Sequence, residues 1–168
     1  PFDLFNPDRK TSVKLYTNRV FITEECEDLL PSYLRFIKGV VDSEDIDLNV
    51  SREMMQSNAA LKKISKALVN KILSELKKDF DKDREGYEKF FEEFGEAFKE
   101  GIYEDFDRKK SLLDITLFKS SSSENYTSLN EYISRMKDEQ SDIYYISGES
   151  IDQILTSPQI EGYKSRGL

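Results

Sequence analysis

The chain has 168 residues, of which 38% are hydrophobic, so it can form one hydrophobic core or two small ones. Its net charge of −8 and its pI near 4.8 argue against strong nonspecific binding to nucleic acid. A single cysteine, Cys26, excludes an internal disulfide, and the lack of histidine excludes a Ser-His-Asp triad, a Cys-His pair and a histidine metal site. Any chemistry must therefore use carboxylate, arginine, lysine or tyrosine side chains.

The chain carries no signature of a membrane or secreted protein. No stretch reaches the roughly 20 apolar residues of a membrane-spanning helix. The first residues, PFDLFNPDRK, lack the basic region and apolar core of a signal peptide. We expect a cytoplasmic location, with an organellar form as the alternative. Since the chain has no initiator methionine and stops abruptly, we also expect it to be a fragment of a larger protein.

The first 58 residues predict two strands and an arginine at a turn before a helix. Residues 13–22, VKLYTNRVFI, are rich in β-branched and aromatic residues and predict a strand. Residues 24–36 predict a short acidic helical piece that is interrupted near Pro31, and residues 36–41, FIKGVV, predict a second strand. The stretch that follows presents Arg52 at a turn just before a helix.

Two apolar stripes at helical spacing follow. The members of the first are Leu61, Ile64, Leu68, Val69, Ile72, Leu73 and Leu76, and those of the second are Tyr87, Phe90, Phe91, Phe94 and Phe98. Ser57 or Asn58 can cap the first helix. We therefore predict a long helical hairpin over residues 59–105, separated by the turn DFDKDREG and packed through an aromatic inner face.

The remaining sequence predicts a small α/β unit with a parallel sheet. Helices are expected at 108–115, from Thr127 or Ser128 onward, and in GESIDQIL and SPQIEGYKSRGL, where Ser157 caps the last helix. The serine-rich stretch 119–128 predicts a loop, and DIYYIS, 142–147, predicts a strand buried on both faces.

Three weaker patterns have simpler explanations. Residues 79–90 resemble a calcium loop, but Arg84 replaces the glycine and Phe90 the bidentate glutamate, so a solvated turn is favoured. The lysines of 59–78 could bind a membrane surface or acidic partners, although a solvated helix face explains them. The phenylalanines could line a ligand pocket, but their spacing favours a core.

Arg52 is the best candidate for chemistry. With Ser51 and Gln56 it lies near a helix N-terminus, which favours anions, and its planar guanidinium suits phosphate. No glycine-rich loop accompanies it, so the chain does not carry a whole phosphate site. A surface salt bridge or a cap remains the alternative.

Longer strings point to a family. PFDLF, KLY..RVFI, GVVDSEDIDLNVSREMMQ, SLNEYISRMKDEQ and IYYISGES together resemble the middle domain of the heat shock protein 90 chaperones, including the bacterial form. The order and spacing match along essentially the whole chain. The family commonly has Val-Arg-Arg where this chain has Thr17, Asn18 and Arg19.

The resemblance implies a split active site. In such chaperones an N-terminal domain binds ATP with magnesium, and the middle domain supplies a catalytic loop whose arginine reaches the γ-phosphate. That arginine corresponds to Arg52, its supporting glutamine to Gln56, and the phenylalanine that holds the loop and the domain junction to Phe21. No metal or cofactor is expected in this fragment itself.

The resemblance also implies an architecture and partners. It implies a helix-rich α/β fragment: 1–58 is the end of a large α/β subdomain, 59–107 the connecting helices, and 108–168 a small three-layer α/β/α subdomain. The expected partners are the chain's own N-terminal domain, client proteins, co-chaperones in eukaryotes and a second protomer, with neither nucleic acid nor membrane. The alternative is a protein-interaction module in which Arg52 has no catalytic role.

Overall fold

The computed structural model describes residues 12–24, 26, 28–46, 58–148 and 150–168. The chain divides into two compact units, Pro1–Leu112 and Leu113–Leu168. Both units combine helices with a small sheet, which confirms the predicted mixed α/β class. Within the described ranges, no helix is long and apolar enough to cross a membrane.

The sheet of the first unit has three strands in the order β2-β1-β3. They are β1 (Ser12–Thr17), β2 (Val20–Thr23) and β3 (Lys38–Asp42). β1 pairs antiparallel with β2 and parallel with β3. Strand β3 was predicted, but the single strand predicted at 13–22 is wrong. The chain reverses at Asn18 and Arg19, whose positive φ angles of 51° and 65° suit a two-residue hairpin turn.

The predicted helical pair is confirmed as α1 (Ala59–Lys82) and α2 (Arg84–Glu104). The Asn58 side-chain oxygen accepts hydrogen bonds from the Ala60 and Leu61 amides, so Asn58 is the cap, not Ser57. The predicted turn shrinks to one residue, Asp83, between the two helices. The preceding aspartates of the calcium-like pattern therefore lie on α1 rather than in a loop.

The aromatic face of α2 has a buried row and a partly exposed row. Tyr87, Phe91 and Phe98 are almost fully buried, as predicted. Phe94 is 41% exposed, so its predicted burial is wrong. With Phe90 it forms a second row that packs against Phe36, whose ring centroid lies 5.1 Å from that of Phe94 and 5.3 Å from that of Phe90. The aromatic stripe is wider than the segment that packs against it, so the second row stays partly exposed.

That facing segment, residues 31–37, is called the strap. It contains one turn of 3₁₀ helix, Ser32–Leu34, in place of the acidic helical piece predicted around Pro31. The Tyr33 ring lies against the backbone of α2, where a Cβ on Gly101 would come within 2.7 Å of the ring. Glycine is therefore needed at this position for the strap and the helix to approach so closely.

The second unit has a two-stranded sheet where a loop was predicted. Helix α3 (Lys109–Ile115), as predicted, crosses the boundary at Leu112 and leads into β4 (Leu117–Ser120). This strand pairs antiparallel with β5 (Ser123–Ser128). The loop prediction for 119–128 is therefore wrong. Serine is compatible with a strand as well as with a turn, and here the partner strand follows directly in the sequence.

Three short helices follow: α4 (Leu129–Ser134), α5 (Ile151–Leu155) and α6 (Pro158–Lys164). All three were predicted. Ser128 and Glu131 form a capping box at α4, and Ser157 caps α6 ahead of Pro158.

The segment 142–147 is extended but belongs to no sheet of the described chain. Tyr145 is 91% exposed, and Ile143, Tyr144 and Ile146 are also exposed. The predicted buried strand and the predicted parallel sheet are therefore wrong. A segment of strand-forming composition becomes a strand only where a neighbour pairs with it, and the antiparallel hairpin does not provide that neighbour.

Thr17 is buried at the end of β1, and its hydroxyl has no hydrogen-bond partner among the described residues. We expect Thr17→Val, which keeps the shape and removes the hydroxyl, to stabilise the chain by about 1–2 kcal/mol. The matched control is Thr127→Val, because the Thr127 hydroxyl is buried and accepts a 2.8 Å hydrogen bond from Arg135. In urea denaturation, the free energy of unfolding should rise for Thr17→Val and fall for Thr127→Val. A less stable Thr17→Val variant would contradict the prediction.

Candidate functional site

Two of the predicted site residues, Arg52 and Gln56, lie outside the described residues. The third, Phe21, is described. The structure describes the chain on both sides of residues 47–57. These are the end of strand β3 and the start of helix α1.

Phe21 lies on an exposed apolar face of the sheet. It pairs with Tyr16 across β1 and β2, with the two rings edge to face at 5.6 Å between centroids. Side chains alternate along a strand, so Tyr16 shares its face with Lys14, whose parallel neighbour is Val40. Phe21 is 49% exposed and Val40 is 64% exposed. Tyr16, Phe21 and Val40 together are called the sheet patch.

The chain leaves the sheet beside the hairpin turn. Asp42 ends β3 and accepts a 3.2 Å hydrogen bond from the Arg19 amide, and the Ser43 amide donates to the Tyr16 carbonyl. Ile46 is 2% exposed and anchors the next residues to the core. As far as Ile46, the chain therefore leaves the sheet at the same end that carries the turn before Phe21.

The chain rejoins the described fold at a basic helix start. Lys62, Lys63 and Lys66 are exposed in the first turns of α1, which contain no carboxylate. Helix N-termini and unpaired lysines both favour anions, so the first turns of α1 have a positive potential.

Farther along α1 the lysines are paired. Lys71 and Lys78 both bond to the Glu75 carboxylate, at 2.6 and 2.8 Å, and they lower the pKa of Glu75 to about 2. Lys77 bonds to Asp81 in the next turn. These exposed i,i+3 and i,i+4 pairs agree with the predicted solvated face.

A polar network that the sequence did not predict joins the strap to the helices. Tyr33 donates to Asp105 at 2.9 Å, and Arg108 donates to Asp105 at 2.8 Å and to Asn70 of α1 at 2.8 Å. The buried Arg35 side chain bonds to Glu100 through both terminal nitrogens, at 2.7 and 3.1 Å. The partners are too far apart in the chain for any spacing rule to connect them.

The protonation states mark this network as structural. Burial and the hydrogen bond to Asp105 raise the pKa of Tyr33 well above its usual value. Burial tends to raise the pKa of Asp105, but hydrogen bonds from Tyr33 and Arg108 outweigh it and hold that pKa below its usual value. Neither group therefore exchanges a proton near neutral pH. Among the described residues, no cluster of three carboxylate or cysteine side chains could hold a metal ion.

Comparison with known proteins decides the family. A protein-family model described as "Hsp90 protein" matches residues 1–168, which is the whole chain. The chain belongs to the Hsp90 family. This confirms the family predicted from the sequence motifs.

Several Hsp90 relatives carry the printed name "Chaperone protein HtpG". The protein from Paramagnetospirillum magneticum is 54% identical to this chain, that from Rhodospirillum rubrum is 51% identical, and that from Wolbachia pipientis wMel is 49% identical. Each match covers 100% of this chain and 27% of the relative. The chain thus spans about a quarter of the length of these relatives.

Proposed function

We propose that this chain is the middle-domain part of an ATP-dependent Hsp90 chaperone, and that Arg52 contacts the γ-phosphate of ATP bound by a separate N-terminal domain. The family match and the HtpG relatives support the chaperone class. The observation that carries the split site is the exposed sheet patch, close to the end of β3 where the described chain leaves the sheet. An apolar surface at that point is suited to docking against another domain.

In this proposal Arg52 provides charge stabilisation. Phosphoryl transfer needs positioning and neutralisation of developing negative charge more than covalent help from protein groups. The Arg52 guanidinium places its donors on the transferring group, and Gln56 orients the loop that holds it. Magnesium belongs to the N-terminal domain, together with the nucleotide.

Docking couples the chemistry to a conformational change. Phe21 and Val40 are exposed in this chain, and covering them against the N-terminal domain buries apolar area that favours the closed state. Arg52 reaches ATP only in that state, so hydrolysis reports domain closure. Phe21 then supports the loop by fixing the junction, and it does not touch the substrate.

The remaining features of the proposal follow from the resemblance. Residues 1–58 belong to the large subdomain with the catalytic loop, 59–107 are connecting helices, and 108–168 form the small subdomain. The full-length protein is a cytoplasmic homodimer whose middle domain contributes part of a surface for client proteins, and for co-chaperones in eukaryotes.

A protein-interaction module is the second candidate. The exposed rings of Phe94, Phe106 and Tyr145 favour it, since these apolar groups lie away from the sheet patch in the sequence and could contact other proteins. The two candidates differ in whether Arg52 affects hydrolysis.

The split site predicts that the 168-residue chain neither binds Mg-ATP tightly nor hydrolyses it, because it has no glycine-rich loop to hold phosphates. Calorimetric titration and a steady-state turnover assay on this chain test the prediction. The full-length protein, with its N-terminal domain, is the positive control. Micromolar binding with turnover by the isolated chain would rule out the split site.

A further inference from the structure

A cleft of about 540 Å³ lies in the second unit, and the proposed ATPase role does not use it. The serine turn 120–123 lines it, together with Lys119 and Lys164. Ile151 and Leu155 provide apolar side chains. The described residues that line the cleft include no carboxylate.

Positive charge collects at this cleft. Lys119 lies over the Tyr126 ring, 3.7 Å from its centroid, and Lys164 makes no ion pair within the described chain. Arg135 is not part of the lining, but it donates to the lining residue Ser120, at 2.9 Å, and to the Thr127 hydroxyl. The cleft lining thus holds two lysines and no carboxylate, in a chain whose net charge is −8.

The apolar part of the cleft is also open to solvent. Ile151 is 43% exposed and Leu155 is 39% exposed. They are four residues apart on α5, so they lie on the same side of that helix. The cleft therefore presents an aliphatic pair next to hydroxyl and ammonium donors.

We propose that this cleft binds a peptide segment in which carboxylate side chains lie next to large apolar ones. The carboxylates accept hydrogen bonds from the two lysines and the serine hydroxyls, and an apolar side chain covers Ile151 and Leu155. Nucleic acid fits less well, because a phosphate backbone offers no apolar partner to Ile151 and Leu155. Identifying the peptide as part of a client rests on the proposed chaperone function, whereas the docking chemistry is independent of Arg52.

Fluorescence anisotropy with the 168-residue chain tests the proposal. The probe is a short labelled peptide that alternates glutamate and leucine, compared with otherwise identical peptides carrying glutamine or lysine in place of glutamate. We expect the glutamate peptide to bind most tightly, with an affinity that falls as salt is added. Equal binding of the glutamine peptide, or preference for the lysine peptide, would overturn the proposal.

Variants locate the binding. Lys119→Gln with Lys164→Gln should weaken binding of the glutamate peptide about tenfold at low salt. Lys119→Arg with Lys164→Arg should keep the wild-type affinity, because the charge is retained. Ile151→Ser with Leu155→Ser should weaken it about fivefold. The matched control, Lys62→Gln with Lys66→Gln on α1, should bind like the wild type. Unchanged affinity in the Lys119 and Lys164 glutamine variant would overturn the assignment.

Two further measurements separate possible failures. Circular dichroism of each variant checks that it is folded. If the variant with glutamine at 119 and 164 is unfolded, the variant with arginine at both positions still tests the role of the positive charge. Arg52→Ala should leave peptide affinity unchanged, so a lost ATPase role and a lost peptide site give different results. If Arg52→Ala abolished peptide binding, the cleft would not be the binding site.

Discussion

Arg52→Ala in the full-length protein is expected to abolish most ATP turnover with little loss of ATP affinity. The nucleotide is held by the N-terminal domain in our proposal, and Arg52 arrives only on closure. Arginines supplied in trans to a phosphoryl transfer accelerate GTPases by about 10³–10⁵. The effect here is smaller wherever domain closure limits the rate and masks part of the chemistry. Steady-state turnover measured beside nucleotide affinity tests the prediction.

Conservative variants sharpen this test. Arg52→Lys should restore little activity, because an ammonium lacks the planar set of donors. Gln56→Ala should be milder, since it removes a neutral hydrogen bond of about 1 kcal/mol. Lys77→Ala is a matched control, because Lys77 is a cation farther along α1 that pairs with Asp81. Wild-type turnover by Arg52→Ala would leave the residue without a catalytic role and favour the interaction module.

Phe98→Ala is expected to destabilise the chain by about 3–5 kcal/mol. The Phe98 side chain is fully buried, and its ring lies 6.5 Å from that of Tyr33 and 6.3 Å from that of Phe91. Truncation leaves a cavity between the strap and α2 that the surrounding rings cannot fill without moving. Urea denaturation of the purified variant measures the loss.

Phe94→Ala is the matched control on the same helix, one turn earlier. Its ring is 41% exposed, so the expected loss is about 1 kcal/mol. Equal losses in the two variants would show that the exposed row contributes as much as the buried one. A loss below about 1 kcal/mol for Phe98 would contradict the packing described for the strap.

Local patterns predicted the helices well and the sheets poorly. The apolar stripes that predicted α1 and α2 each repeat over several turns, so their helical period is unambiguous. The predicted cap, Ser57 or Asn58, placed the start of α1 to within one residue. The hairpin at Asn18 and Arg19 was missed because its turn contains no glycine and the apolar residues continue through it. Residues 142–147 have the composition of a strand, but pairing depends on residues distant in the chain, which composition does not specify.

The candidate site was predicted from family resemblance rather than from pattern. A single arginine before a helix is chemically ambiguous, so Arg52 acquired a role only through the strings around it. The network of Tyr33, Asp105 and Arg108 could not be predicted, because Tyr33 and Asp105 are 72 residues apart. Their contact exists only because Gly101 lets the strap lie against α2.

The strap has a mechanical consequence. It contacts α2 and the Asp105 cap that follows it, from Phe90 to Asp105, through ring contacts, an ion pair and a hydrogen bond, and it continues directly into β3. Fifteen residues of helix correspond to about 22 Å. Over that length a bend between the strap and α2 would break these contacts together, so we expect the strap and the helix to move as one body. We therefore expect a displacement of α2 to be passed through the strap to β3.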